Sequence, residues 1–217
     1  MSDETPHRFV LVRHAEAVCN VLTPDARIER YDMDAALTKR GEAQAAALAS
    51  GLPDELVGDP IFCSPLRRAR ETAMPLAQQR RLAVVYDDRL AEMGATECFV
   101  PPLSMAEWDM LLERRAANPE AEVSPGIEPL SRQDARVRDF LRDRHAHRGD
   151  ARCTLLVAHA FTIELAILAL LGLQSAALTA FRLRLSNAAV HVVENNALGG
   201  LARLLLVNAK NHMTRWL

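Results

Sequence analysis

Histidine, arginine and glutamate stand just after apolar runs in this sequence, where together they could do chemistry. "FVLVRHAEAVCN" (9–20) passes from four apolar residues straight into Arg13 and His14. Burying a cation and a titratable ring without a partner is costly, so the pair either ends in water or awaits an anion. The arrangement recurs: His159 ends "CTLLVAH" (153–159), Ser64 and Arg68 follow the start of "DPIFCSPLRR", and Glu92 follows "LAVVYD" (82–87). An imidazole is a nucleophile or proton carrier near neutral pH, guanidinium forks hold oxyanions, and a carboxyl moves a proton. Each has a plainer use when taken singly. His14 could be a solvent-exposed strand end, His159 a satisfied core histidine, and Ser64 the cap of a helix that opens at Pro65. Arg67 and Arg70 read as solvated helix charges around Arg68.

The elements that must position these residues alternate. Strands are expected at 8–14, 59–64, 82–87 and 153–159, with helices at 37–52, 65–81, 131–148 and 160–172 between and after them. Thr38 is a plausible N-cap and Gly51 lies near a C-cap. "NAAVHVVEN" (187–195) and "LARLLLVN" (201–208) read as a closing hairpin across "NALGG". Residues 93–130 break the pattern with Pro101, Pro102, Pro119, Pro125 and Pro129 around one helical stretch, "SMAEWDMLLERRAA". The expectation is an α/β fold, a three-layer α/β/α sandwich on a mostly parallel sheet of roughly six strands. One domain would cover 1–217, with a small cap insertion at about 93–130. Ligands on such sheets bind outside the carboxyl ends of the strands, which is where His14, Ser64, Arg68, Glu92 and His159 all fall.

Composition bounds the partners. Over 217 residues the formal charge is −2 and aromatic residues make up 5%, so neither a nucleic-acid surface nor a stacking platform is expected. "TLLVAHAFTIELAILALLGL" (154–173) is apolar but contains His159 and Glu164, which argues for a buried strand and helix rather than a membrane span. Cys19, Cys63, Cys98 and Cys153 show no metal-ligand spacing. They read as reduced thiols of a cytoplasmic protein, and the polar, acidic N-terminus is unlike a signal peptide.

In order along the chain, these pieces resemble the histidine phosphatase superfamily, the phosphoglycerate mutase-like proteins. "LVRHAEAVCN" is similar to the family's R-H-G-x-x-x-x-N opening, with Ala15 in place of glycine. "DAALTKRGEAQA" resembles its second block, and "CSPLRRARETA" its S-x-L-x-R-A-x-x-T-A block, which aligns Arg68 with the family's arginine. "RLAEMG" resembles the stretch carrying the family's acid, and "LLVAHA" the stretch with the second histidine, here followed by Ala160. The resemblance covers nearly the whole chain. Spacing from Leu90 favours Glu92 as the acid, with Glu97 as the alternative. Ala15 and Ala160 replace residues free to adopt φ > 0, and Ala17 stands where a hydroxyl is common.

The resemblance implies a metal-independent phosphatase with a phosphohistidine intermediate on His14. Arg13 and Arg68 would bind phosphate oxygens, His159 would add a third positive donor as imidazolium, and Asn20 would donate an amide N–H. Glu92 would protonate the leaving alkoxide. No cofactor or metal is required, because side chains supply the cations. The substrate would be a small phosphorylated metabolite, with specificity in the 20–37 loop and the insertion; a homodimer is compatible with the sequence. Phosphoglycerate mutase-type transfer and a non-catalytic phosphate-binding module are the alternatives. The insertion offers only Arg114 and Arg115 to a second phosphate, which favours hydrolysis. Phe99, Met105, Trp108 and Met110 could line a substrate mouth, although helix packing is the plainer use; His145, His147, His191 and His212 read as surface or structural.

Overall fold

A strand buried on both faces needs apolar residues on both, and β1 (Arg8–Arg13) has them. Phe9 and Leu11 point to one apolar cluster, Val10 and Val12 to the other. The structure, a computed structural model, describes residues 6–23, 25–30, 32–94, 98–147, 149, 151–195 and 200–212. After β1 come a 3-10 turn (Val18–Asn20) and a two-residue strand, β2 (Arg27–Ile28). α1 (Lys39–Gly51) opens at Thr38, whose hydroxyl accepts the Gly41 N–H, as expected of an N-cap. β3 (Ile61–Cys63), α2 (Arg67–Arg80) and β4 (Val84–Tyr86) follow. β5 (Leu103–Ser104) leads into α3 (Met105–Ala117), which Ser104 and Glu107 close with a capping box. α4 (Leu130–Ala146), β6 (Cys153–Ala158), α5 (Ala160–Leu170), β7 (Val190–Asn195) and β8 (Ala202–Ala209) complete the chain.

The six longer pairing partners form one sheet in the order β4-β3-β6-β1-β7-β8. β4, β3, β6 and β1 run parallel, while β7 runs antiparallel to β1 and to β8. One face packs on α1 and α2, the other on α4 and α5, which is the expected three-layer sandwich. No described helix is long and apolar enough to cross a membrane.

Two local expectations are corrected. α2 starts at Arg67 rather than Pro65, and its N-cap position is Leu66, with no side-chain cap. Ser64 therefore does not cap this helix. Leu66 N–H donates to the Ser64 hydroxyl at 3.3 Å, which makes a turn before the helix begins. The tip of the β7–β8 hairpin, 196–199, lies outside the described residues.

Register brings the strand ends level. Arg13 pairs with Ala158, and Cys63 with Val157. The His14 N–H donates to the Ala158 carbonyl and the Ser64 N–H to that of Val157. Gly41 allows α1 to approach this rim, since a Cβ there would lie 2.0 Å from the Glu16 carbonyl oxygen. The 20–37 loop and the 93–130 segment, separate in sequence, are joined by antiparallel pairing of β2 with β5. Two-residue strands give almost no sequence signal, and this pairing was not anticipated.

Candidate active site

His14 follows β1 and is buried. Its Nδ1 lies 2.7 Å from the Ala15 carbonyl oxygen, which can only accept, so Nδ1 carries the proton and Nε2 keeps its lone pair. His159 follows β6 as the N-cap residue of α5, fully buried, with its ring centroid 5.1 Å from that of His14. His159 Nε2 and Ser64 Oγ share a 2.7 Å hydrogen bond. Because Ser64 Oγ already accepts from Leu66 N–H, its own proton can go to Nε2, which leaves the hydrogen of His159 on Nδ1. That Nδ1 is buried and has no hydrogen-bond partner among the described residues.

Two arginines flank the rings. Arg13 donates through Nη1 to the Leu185 carbonyl. Arg68, fully buried in the first turn of α2, donates through Nη1 to the Asp32 and Met33 carbonyls, each at 3.3 Å. Burial, then Arg68, then Arg13, push His14 well below the ordinary histidine value of 6.5, against a smaller opposing effect of its Ala15 hydrogen bond. Burial, then Arg68, His14 and Arg13, push His159 down in the same way. Burial and the flanking arginines disfavour the imidazolium form of His159 in the unliganded site, where a neutral ring offers one directed N–H.

Backbone supports tie the loop after His14 to other elements. Ala15 N–H donates to Thr72 Oγ1 at 2.9 Å, and that hydroxyl donates to the Arg68 carbonyl. Asn20 Oδ1 accepts from Ala17 N–H and from Asn187 Nδ2, which also donates to the His14 carbonyl. The side-chain oxygen of Asn20 is thus spent on shaping the loop, while its Nδ2 makes no hydrogen bond among the described residues. Ala15 and Ala160 are not among the described residues with positive φ, so the missing glycines impose no backbone strain there.

Glu92 is buried beside the start of α5. Its Oε1 accepts from Met93 N–H at 3.1 Å and Gln133 Nε2 at 2.8 Å, and its Oε2 from Phe161 N–H at 3.1 Å. Gln133 in turn accepts from Arg115 Nη2 and donates to Thr162 Oγ1. Arg136 fixes the backbone nearby through the carbonyls of Arg89, Ala91 and Glu92. Arg115 is thus fully buried behind the carboxyl rather than offered to a second phosphate. The alternative acid, Glu97, lies outside the described residues. Sequence reasoning missed Gln133, Thr162, Thr72 and Asn187. Only Thr72, inside the "RETA" stretch, carried any signal.

Met105 and Trp108 line a cavity of about 350 Å³ between the 3-10 turn, β2 and α3. Trp108 also stacks edge-on against Phe99, with centroids 5.8 Å apart, so packing and lining are both true of it. Met110 is exposed. His191 and His212 are buried, in keeping with structural roles.

Comparison with known proteins places the chain in a family. The family model described as histidine phosphatase superfamily (branch 1) matches residues 9–208. A 5''-phosphoribostamycin phosphatase of Niallia circulans is 36% identical over 208 residues, 95% of this chain and 98% of that one. Phosphoserine phosphatase 1 of Hydrogenobacter thermophilus is 31% identical over 76% of each chain. Among solved structures, a mycobacterial glucosyl-3-phosphoglycerate phosphatase in complex with VO3 superposes with a TM-score of 0.74. It is 28% identical, over 94% of this chain and 99% of that one.

Proposed function

The chain belongs to the histidine phosphatase superfamily and is a phosphoric monoester hydrolase; on that premise we propose that it hydrolyses a small phosphorylated metabolite through a phosphohistidine on His14. The observation that carries this reading is the histidine pair. One ring has its Nδ1–H tied to a carbonyl and its Nε2 lone pair kept, and the other has a buried Nδ1 with no partner among the described residues. A nucleophile and a directed donor are what an in-line phosphoryl transfer needs.

In the first step His14 Nε2 attacks phosphorus as the bond to the leaving oxygen breaks. Arg13, Arg68 and the His159 Nδ1–H hold the non-bridging oxygens as charge develops on them, and Asn20 Nδ2 supplies a further donor. Glu92 gives its proton to the leaving alkoxide. In the second step Glu92 takes a proton from water as the water oxygen attacks phosphorus. The P–N bond breaks, its electron pair returns to Nε2, and orthophosphate leaves. Glu92 Oε2, with a single donor on it among the described residues, is the oxygen that carries the proton in both steps. The side chains supply the positive charge, so the reaction is metal-independent. The free thiols of Cys19, Cys63, Cys98 and Cys153 support a cytoplasmic setting.

The test is p-nitrophenyl phosphate hydrolysis in EDTA by wild type and His14→Ala. Turnover in the first and none in the second is expected; equal turnover in both refutes the assignment. A panel of 5''-phosphoribostamycin, phosphoserine and glucosyl-3-phosphoglycerate, the compounds in the names of the relatives, then ranks the leaving groups.

A further inference from the structure

We infer that Arg115 and Gln133 are positioning residues for the acid: the buried guanidinium of α3 fixes the Gln133 amide, and the amide decides which oxygen of Glu92 can hold the proton. This rests on the phosphatase reading above and goes beyond it, because both residues act through Glu92 rather than on the substrate.

An amide can face a carboxyl with either end, and the two ends have opposite effects. With its nitrogen forward, Gln133 Nε2 donates to Glu92 Oε1 at 2.8 Å, and Met93 N–H donates to the same oxygen at 3.1 Å. An oxygen that already accepts two N–H bonds is a poor place for a proton. The proton of the acid therefore goes to Oε2, where Phe161 N–H is the one donor among the described residues. With the amide turned round, its carbonyl would face Oε1 and draw the proton there, away from the leaving oxygen.

Two neighbours fix the orientation. Arg115 Nη2 can only donate, and it lies 2.8 Å from Gln133 Oε1. At the other end Gln133 Nε2 lies 3.1 Å from Thr162 Oγ1, whose proton goes to the Ala91 carbonyl at 2.9 Å. That hydroxyl is left as an acceptor. Arg115, Gln133 and Thr162 are all fully buried. The reversed amide would set N–H against N–H where no water can relieve them, which is costly.

Arg115 has few other ties. Its Nε donates to the Glu128 carbonyl at 2.9 Å, and its Nη1 has no hydrogen-bond partner among the described residues. Burial pushes it down to about 10, so it stays charged at neutral pH. A buried cation is a costly way to fill space, and an apolar side chain would pack there without polarising Gln133. The guanidinium carbon also lies 5.4 Å from the ring centre of Phe161, the residue whose N–H holds Oε2. One cation brought by α3 thus braces both oxygens of the carboxyl, so the acid is complete only when the cap helix is seated.

The experiment measures kcat/KM in EDTA on p-nitrophenyl phosphate and on phenyl phosphate. The leaving oxygen of phenyl phosphate is about as basic as that of tyrosine, so it needs the proton more. Wild type is compared with Arg115→Met, Gln133→Glu and Glu92→Gln, each checked by thermal unfolding to be folded at the assay temperature. Gln133→Glu keeps an acceptor for Arg115 and reverses only the polarity that Oε1 meets, so it stands as the test even where Arg115→Met fails to fold. Both variants should lose about ten-fold on phenyl phosphate and less than about two-fold on p-nitrophenyl phosphate. In Gln133→Glu the basic limb of the phenyl phosphate profile should also move to higher pH by about one unit, as where two carboxylates share a proton. Equal losses on the two substrates in Gln133→Glu, or no loss on either, overturn the inference and leave these residues a structural role only. A wild type that turns over neither substrate overturns the phosphatase reading, and a Glu92→Gln that loses both equally overturns Glu92 as the acid; either takes this inference with it.

Discussion

Acidification should destabilise the unliganded protein through its buried histidines, over a pH range in which few other groups titrate. His14 and His159 are held well below 6.5 by burial first and by Arg68 next. As pH falls through about 6.5 the unfolded chain takes up a proton at each ring, and the folded chain does not. The unfolded state then binds more protons, so stability falls with pH. Between about pH 7.5 and 5.5 each such group removes at most about 1.4 kcal/mol, the full amount when its ring stays neutral throughout, hence at most about 2.7 kcal/mol for the pair. His191, pushed down to about 4 by burial and then by Arg13, acts in the same direction, as does His212. The three rings 14, 159 and 191 together remove at most about 4 kcal/mol, or at most about 8–16 °C in Tm for a chain of this size. The lowered carboxyls of Glu71, Glu128 and Asp139 titrate below this window. The assay is thermal unfolding across the window for wild type and His14→Asn/His159→Asn. The double variant should lose up to about 2.7 kcal/mol of the pH dependence, flattening the Tm profile by up to about 5–11 °C whatever its absolute Tm. A double variant with the wild-type slope refutes the claim that these rings are neutral and walled off.

Other expectations follow from single contacts. Gln133→Leu strands the Arg115 Nη2 donor and removes the 2.8 Å donor to Glu92; denaturant unfolding should show a loss of about 2–4 kcal/mol, with kcat lowered as well. Ser64→Ala removes the partner that sets the His159 tautomer, and steady-state kinetics should show kcat/KM reduced about two- to ten-fold. Glu92→Gln should slow alkyl phosphates far more than aryl phosphates, whose leaving groups need little protonation; equal loss on both counts against Glu92 as the acid.

The strand-ending residues were legible because a buried parallel strand has a strong signature. "FVLV" and "TLLVA" announce their own ends, so Arg13, His14 and His159 fall on one rim by rule. Thr38 was legible because capping is local. Ser64 was misread because its hydroxyl faces two uses, and only the position of β6 beside β3 shows that His159 claims it. Gln133 and Asn187 carry no local signal at all. Their amides matter only because α4 packs behind Glu92 and because the loop before β7 lies against the His14 carbonyl. The cap was visible as an irregular, proline-rich stretch, but its union with the 20–37 loop through β2 and β5 depends on two-residue strands that no periodicity can reveal.

The central claim is that His14 Nε2 takes the phosphoryl group, and trapping the phosphoenzyme tests it most directly. Wild type is mixed with substrate, quenched in alkali within the first turnover, digested and sequenced by mass spectrometry. The account predicts one phosphoryl group, stable to alkali and labile to acid, on the peptide containing His14, and none in His14→Ala. Turnover with no phosphoenzyme, or a phosphoryl group on another residue, would contradict it.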